Sequence, residues 1–279
     1  MHRSLWYSIT HISRLSEKEY FGLVNRIKYV VMLMFLASAI VFFFVAFYGG
    51  FYKVLNDIAS SNLYIYSLAF AAVFAGYMLR YFKWRYYLTR LGIHLPPSKN
   101  LPIYLSLYSM NLTPGKLGRV LVAYTVSRVA KKKFVRIIPA VTLDIFTDFL
   151  GFAIVALIMA LYFNRYVYYI LIVDIVLILP FAFVMNKRLY DRIKSFFKKH
   201  KIWERFTVYG DEYYASQSVI NTPKVYLVSL ALTVPAAFLA AFSLYISLIA
   251  LGFGAHLASS TFIYTTSSLM GMISSSPGN

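Results

Sequence analysis

The sequence predicts an all-α fold: a polytopic membrane helix bundle with inverted repeats and two re-entrant or broken helices. Three observations predict it: long stretches without charge, a one-sided distribution of lysine and arginine, and a Pro-Gly motif that occurs twice. Of the 279 residues, 60% are hydrophobic and 19% aromatic, which is more apolar surface than one soluble core can bury. We therefore expect a single transmembrane domain over residues 1–279.

The uncharged or nearly uncharged stretches give the elements in order. Each of the first four is long enough to cross a bilayer as a helix, the form that pairs every backbone polar group internally. A fifth stretch can hold two elements, which we expect to be divided near residues 252–256. The four predicted spans are residues 29–52, 58–79, 137–164 and 166–186, and the fifth stretch is 225–279.

The basic residues predict the orientation. Of the 28 lysines and arginines, only Lys53 and Arg165 lie in the short connectors after the first and third spans. By the positive-inside rule, this asymmetry places the N-terminus in the cytoplasm of a multi-pass cell-membrane protein. The net charge of +18 then reflects topology, and no nucleic-acid partner is expected because no soluble domain is long enough. We interpret the basic segments 80–90 and 187–206 as interfacial helices near anionic headgroups at the cytoplasmic face.

A repeated motif predicts the broken helices. The sequence SMNLTPGK around Pro114 recurs as MISSSPGN around Pro277. The uncharged approach to the first copy, 100–115, rises only about 24 Å, short of a hydrocarbon core of about 30 Å. We expect repeat one at about 28–164 and repeat two at about 166–279. Their Pro-Gly elements enter from opposite faces, as in transporters with inverted repeats. The alternative is a chance match of two prolines that end helices at loops.

Aspartates inside the predicted spans are the strongest candidate site residues. Asp144 and Asp148 are four residues apart and so share one helix face. Each costs about 2.5–3.5 kcal/mol at the centre of a membrane helix unless it has a partner or water, so we expect a buried polar cavity. Lys116 and Arg119 are the nearest expected counter-charges, and Asp174 approaches the same interior from the next span. A structural ion pair is the alternative role for Asp144 and Asp148.

Two stretches, NLTPGKLGRVLVAYTVSR and AVTLDIFTDFLGF, resemble the transmembrane, flippase-like region of the lysylphosphatidylglycerol synthetase family, including stand-alone members without a synthetase domain. In the second stretch Asp148 matches the family's final acid, Asp144 replaces a glutamate, and Ile145 stands where arginine is usual. Arg119 is the expected substitute for that arginine. The family continues beyond its second Pro-Gly element, so we expect a C-terminally truncated second repeat. The positions that match fully are Asn111, Pro114, Gly115 and Gly118.

The resemblance implies a lipid translocase that moves a phospholipid or polyprenyl-linked lipid between leaflets, with membrane lipids as partners. Two alternatives are a membrane-embedded transferase acting on a polyprenyl phosphate and a non-transporting scaffold subunit. We expect no cofactor, metal or catalytic residue, since cysteine is absent and the five histidines are scattered. The oligomeric state stays open. The candidate substrate-binding residues are Asn111, Pro114, Gly115, Lys116, Gly118, Arg119, Asp144, Asp148, Asp174, Ser276, Pro277 and Gly278.

Overall fold

The computed structural model describes a helical bundle. The described residues are 50–109, 118–163, 167–172, 174–176 and 201–273, with single positions and short pieces between 29 and 48 and between 186 and 192. No β-strand occurs in this described part of the chain. Within the described residues the helices are α1 (Phe51–Ala59), α2 (Leu63–Arg90), α3 (Pro97–Ser109), α4 (Gly118–Val129), α5 (Ile138–Phe163), α6 (Lys201–Ile220), α7 (Pro223–Ala250) and α8 (Leu257–Ile273), and a 3-10 turn (Phe134–Arg136) precedes α5.

Three of these helices, α2, α5 and α7, are long and apolar enough to span a membrane. Both α2 and α7 have 28 residues and therefore reach about 42 Å, more than the roughly 30 Å hydrocarbon core. Large apolar side chains such as Phe70 and Leu227 are exposed on the outer surfaces of these helices. An exposed apolar surface of this kind suits contact with lipid, so the helical membrane bundle is confirmed.

Helices α2 and α7 pack side by side and run in opposite directions. The amide of Asn62, just before α2, donates a hydrogen bond to the carbonyl of Ala250, the last residue of α7, at 3.0 Å. At mid-length, a Cβ atom placed on Gly76 would lie 3.2 Å from the carbonyl oxygen of Ala236. Small residues at this crossing let the two backbones approach closely, as in many membrane helix pairs.

The same two helices are matched in length, in spacing and in the way they end. The offset in residue number from the start of α2 to the start of α7 equals the offset from the start of α3 to the start of α8. Leu91 and Leu251 close the two long helices with nearly the same backbone angles. Gly92 and Gly252 follow with φ of 70° and 80°, a left-handed conformation that glycine adopts without strain. Each long helix thus leads through the same turn into a shorter helix.

The boundary of the second predicted span is wrong at both ends. The prediction of 58–79 joined the end of α1 to the start of α2, although the chain breaks between them and Asn62 caps α2. The side-chain oxygen of Asn62 accepts hydrogen bonds from the amides of Tyr64 and Ile65, as an N-cap does. The division of the last stretch near 252–256 is confirmed by the turn between α7 and α8, and α5 agrees with the third span to within one residue at each end.

The interpretation of 80–90 as a separate interfacial helix is also wrong. Helix α2 continues without a break to Arg90. Arg80 is 7% exposed and Lys83 is fully buried, because both lie on the same helix face as the buried aromatic residues Trp84 and Tyr87. The other segment, 187–206, lies largely outside the described residues.

Helix α5 occupies the centre of the described bundle. It packs against both α7 and α8, and it buries more of its surface than α2 or α7 does. At the closest point, a Cβ atom on Gly151 would lie 2.5 Å from Cγ2 of Thr233 on α7. Contact this close is possible only because residue 151 has no side chain. The packing brings the polar face of α5 towards α2 and α7.

Candidate functional site

The two predicted carboxylates meet a lysine that comes from α2. The Nζ atom of Lys83 lies 2.6 Å from Oδ1 of Asp148 and 3.1 Å from Oδ1 of Asp144. All three residues are buried, Lys83 completely. Charge-assisted contacts of this length are strong, and in a site shielded from water they offset part of the cost of burying the charges.

Two further groups complete the coordination of the lysine. Nζ of Lys83 also donates to Oγ1 of Thr147 at 3.1 Å and to the backbone carbonyl of Asp144 at 3.3 Å, so its three donors face four acceptors. A second cation, Arg80, places its Nε atom 3.8 Å from Oδ1 of Asp148. Its guanidinium lies 5.2 Å from the centre of the Phe152 ring, within cation–π range. We call Arg80, Lys83, Asp144 and Asp148 the buried ion cluster.

A hydroxyl chain extends the cluster to a third helix. The hydroxyl of Tyr87 on α2 lies 3.0 Å from Oγ1 of Thr147 and donates to Oγ of Ser229 on α7 at 2.7 Å. Ser229 in turn donates to the carbonyl of Val225. Polar side chains therefore link α2, α5 and α7 at one level of the bundle.

Helical spacing explains why these side chains converge. Residues 80, 83 and 87 follow the 3–4 residue interval that places side chains on one face of α2, and 144, 147 and 148 do the same on α5. Lys83 is about 10 Å from the C-terminal end of α2, and Asp144 and Asp148 are about 9 and 15 Å from the start of α5. The cluster therefore extends from near the C-terminal end of α2 towards the middle of α5, and enclosure by protein is what makes internal pairing necessary.

The structure describes some of the predicted site residues and not others. The shared face of Asp144 and Asp148 is confirmed, since both contact Lys83. Asp174 is buried, and within the described residues its Oδ1 atom has no hydrogen-bond partner. Gly118 begins α4, and Arg119 follows it in the first turn, but the side chain of Arg119 lies outside the described part. Predicted residues wholly outside the described part are Asn111, Pro114, Gly115, Lys116, Ser276, Pro277 and Gly278.

The sequence interpretation missed the cations that pair with the carboxylates. It named Lys116 and Arg119, whereas the described partners are Lys83 and Arg80. In the described state, Asp144 and Asp148 therefore take part in ion pairs. This is the alternative role that the sequence left open for them. The signal that could have found them was the interval from Arg80 to Lys83 to Tyr87, the same periodicity that grouped the aspartates.

We expect Tyr87→Phe to destabilise the bundle by about 1 kcal/mol, because it deletes hydrogen bonds that join three helices. The free energy of unfolding, measured by circular dichroism during titration of dodecyl maltoside micelles with dodecyl sulfate, checks this. Tyr86→Phe is the matched control, since the buried Tyr86 hydroxyl has no hydrogen-bond partner among the described residues. Equal losses in the two variants would contradict the structural role given to the Tyr87 hydroxyl.

The site offers ion pairing and hydroxyl contacts, and metal chelation has no support in the described region. No three histidine, cysteine, aspartate or glutamate side chains come together there as metal ligands would. The buried ion cluster contains two cations and two anions, so its formal charge is balanced.

Comparison with known proteins agrees with a multi-pass membrane protein. Residues 30–279 match the family described as the lysylphosphatidylglycerol synthase TM region. A curated relative, the "UPF0104 membrane protein" of Methanothermobacter thermautotrophicus, is 26% identical over 149 residues, which are 52% of this chain and 42% of the relative. The match thus spans less than half of that relative's length. No solved structure matches the chain. Because the family match covers most of its length, the chain belongs to the lysylphosphatidylglycerol synthase transmembrane-region family.

Proposed function

We propose that this chain is a lipid translocase that moves an amphipathic lipid between leaflets, with the headgroup passing the buried ion cluster and the tails remaining in the bilayer. The substrate is a phospholipid or a polyprenyl-linked lipid. Membership of a family built around a lipid synthase's membrane region supports a lipid substrate. The observation that carries the proposal is the set of four charged side chains buried between α2 and α5.

The position of the cluster between helices favours a path for a headgroup. Both α2 and α5 pack along α7, whereas α2 and α5 touch each other at few places. The contacts of Lys83 and Arg80 with α5 are therefore a large part of what joins the two helices. Separation of α2 from α5 at the cluster would leave the packing of each against α7 in place.

The repeat supports a transporter architecture. Two helix-turn-helix units, α2–α3 and α7–α8, have long helices of equal length that run antiparallel, as inverted repeats require. Within the described residues, the helices α3 and α8 extend over 13 and 17 residues. Each leads towards one of the Pro-Gly motifs, whose residues stay predictions.

The described state is closed at the cluster. Asp148 is paired with Lys83, so the carboxylates are not free ligands of a headgroup in this state. Transport requires these pairs to exchange. A lipid phosphate would take the place of a carboxylate at Lys83 and Arg80, and a cationic headgroup would take the place of Lys83 at Asp144 and Asp148. A headgroup that carries both a phosphate and a cation would make both exchanges together and keep every buried charge paired, which avoids the large cost of an isolated ion.

We expect an apolar-cluster variant to lose at least fivefold in lipid transport while remaining folded. The variant combines Arg80→Met, Lys83→Met, Asp144→Leu and Asp148→Leu, which leaves the net charge unchanged. Replacement of a whole buried ion group by apolar residues is often neutral or stabilising, so the fold should persist. Fluorescent phospholipids in proteoliposomes, bleached from outside with dithionite, give the transport rate.

The control for that assay is Arg90→Gln with Lys224→Gln, which removes two exposed charges outside the cluster. Its transport rate should equal that of the unmodified chain. Size-exclusion chromatography and circular dichroism establish that each variant is folded. Unchanged transport in a folded apolar-cluster variant would leave the cluster with a structural role only and would remove the proposed path.

A further inference from the structure

A cavity of about 440 Å³ opens where the turn between α2 and α3 meets the C-terminal end of α4. Its volume lies in the range of small-molecule sites. The cavity is distinct from the buried ion cluster, and none of the four cluster residues lines it. Three of its lining residues, His94, Lys99 and Lys132, carry basic side chains, and Val129 and Pro96 contribute apolar surface. We call it the basic pocket.

The charge of the basic pocket is uncompensated within the described residues. No acidic residue lines it. Neither Lys99 nor Lys132 forms an ion pair in the described part of the chain. The backbone at Lys132 is held by a closed turn, because its amide donates to the carbonyl of Ser127 and the preceding amide, of Lys131, donates to Arg128. The lysine at position 132 is thus carried on a defined backbone at the pocket wall.

We expect the pocket to lie at the depth of lipid headgroups. It begins at Gly92, two residues beyond the end of α2, and α2 is about 12 Å longer than the hydrocarbon core. Helix α3 starts at Pro97, so the partial positive charge of its N-terminal end adds to that of the lysines. An anion at the membrane surface would meet favourable potential from both sources.

The internal repeat shows that the turn itself does not require these lysines. The turn after α7 has the same hydrogen bonds as the turn after α2, with the amides of Leu251, Gly252 and Phe253 bonded in the same pattern as those of their equivalents. The residue equivalent to Lys99 in the second unit is Ser259. The turn therefore folds without a lysine at this position, so Lys99 is not needed for the backbone conformation of the turn.

We infer that the basic pocket binds a phosphate group, as presented by an anionic phospholipid at the membrane surface. The inference rests on the proposed function and deepens it, because a headgroup held here stands beside the end of α2, the helix that carries Lys83. Lys99 and Lys132 contact the phosphate oxygens, and the apolar part of the wall accommodates the glycerol carbons. The competing explanation is that both lysines serve only the positive-inside distribution.

The test uses the absence of native cysteine. Val129, which is 41% exposed in the pocket wall, is replaced by cysteine, and its reaction with a maleimide is timed in neutral detergent micelles. Dihexanoyl phosphatidylglycerol should slow the reaction at least threefold, and dihexanoylglycerol, which lacks phosphate, should not. Adding Lys99→Gln and Lys132→Gln should abolish the protection. The matched control, Arg90→Gln with Lys224→Gln, removes the same charge elsewhere and should retain it.

Inorganic phosphate distinguishes the two sources of the anion. Protection by the lipid at concentrations where inorganic phosphate is inactive assigns the site to a phospholipid, and equal protection by both assigns it to free phosphate. Protection that survives loss of both lysines, or no protection by either probe, would overturn the inference. Because binding is measured at equilibrium in micelles, this result is independent of the transport rate, so either proposal can fail alone.

Discussion

Lys83→Met is expected to destabilise the bundle by about 3–5 kcal/mol, because it removes a buried cation that contacts both buried carboxylates. Lys83 is fully buried and contacts both Asp144 and Asp148, at 3.1 and 2.6 Å, whereas Arg80 lies 3.8 Å from Asp148. The free energy of unfolding in mixed dodecyl maltoside and dodecyl sulfate micelles measures the effect. A loss this large would be a substantial part of the total stability of a protein of this kind.

The size of the loss identifies its cause. Hydrogen bonds between membrane helices average about 0.6 kcal/mol each, so the contacts of Lys83 taken as ordinary hydrogen bonds account for about 2 kcal/mol. The remainder is the cost of an uncompensated charge. Lys83→Met combined with Asp148→Asn should therefore be more stable than Lys83→Met alone, although it lacks more contacts. An exposed lysine, Lys224→Met, serves as control and should change stability by less than about 0.5 kcal/mol.

A loss in Lys83→Met no larger than in the Lys224 control would mean that the buried ion cluster does not hold α2 against α5. A double variant less stable than the single one would mean that Asp148 stabilises the fold without Lys83. Either result would also weaken the proposed exchange of ion pairs, since exchange needs carboxylates that depend on a cation.

Periodicity predicted half of the cluster from the sequence. The four-residue interval between Asp144 and Asp148 placed both on one face of an apolar helix, where charge stands out, and both contact the same lysine. Arg80 and Lys83 have an equally regular interval, but they lie among other basic and aromatic residues near the end of a span. There, charge density suggests an interface, and only packing shows which basic side chains turn inward.

The Pro-Gly motif relates the two halves of the sequence by one offset, and the matched helices are related by another. The offset from Pro114 to Pro277 is slightly larger than the offset between the starts of α2 and α7, so the stretch from the start of α3 to Pro114 is shorter than the stretch from the start of α8 to Pro277. The positions of the two motifs do not predict where the helices begin and end. The helix ends depend on the cap at Asn62 and on glycines 92 and 252 with positive φ, which hydropathy does not detect.

Gly151→Ala is expected to destabilise the bundle by about 3 kcal/mol, the upper part of the range for overpacking a core. The added Cβ would lie 2.5 Å from Cγ2 and 3.1 Å from the carbonyl oxygen of Thr233. A β-branched residue in a helix has one or two allowed rotamers, and the carbonyl belongs to the backbone, so neither atom can move aside. Helices α5 and α7 must then separate. The same unfolding titration measures the loss, and Gly254→Ala, where the new Cβ meets nothing within 4 Å, should have a small effect.

Thr233→Ala isolates the contact. Thr233→Ala removes a buried hydroxyl that has no hydrogen-bond partner in the described structure, together with one buried methyl group, so it should cost about 1 kcal/mol. In the double variant with Gly151→Ala, the clash with Cγ2 is gone but the carbonyl contact remains, so about half of the loss should be recovered. Because Asp148 lies three residues before Gly151 on the same rigid helix, separation of α5 from α7 should also disturb the buried ion cluster. Full stability in Gly151→Ala would show that α5 and α7 are not held at this distance, and the alignment of Asp148 with Lys83 would then need another support.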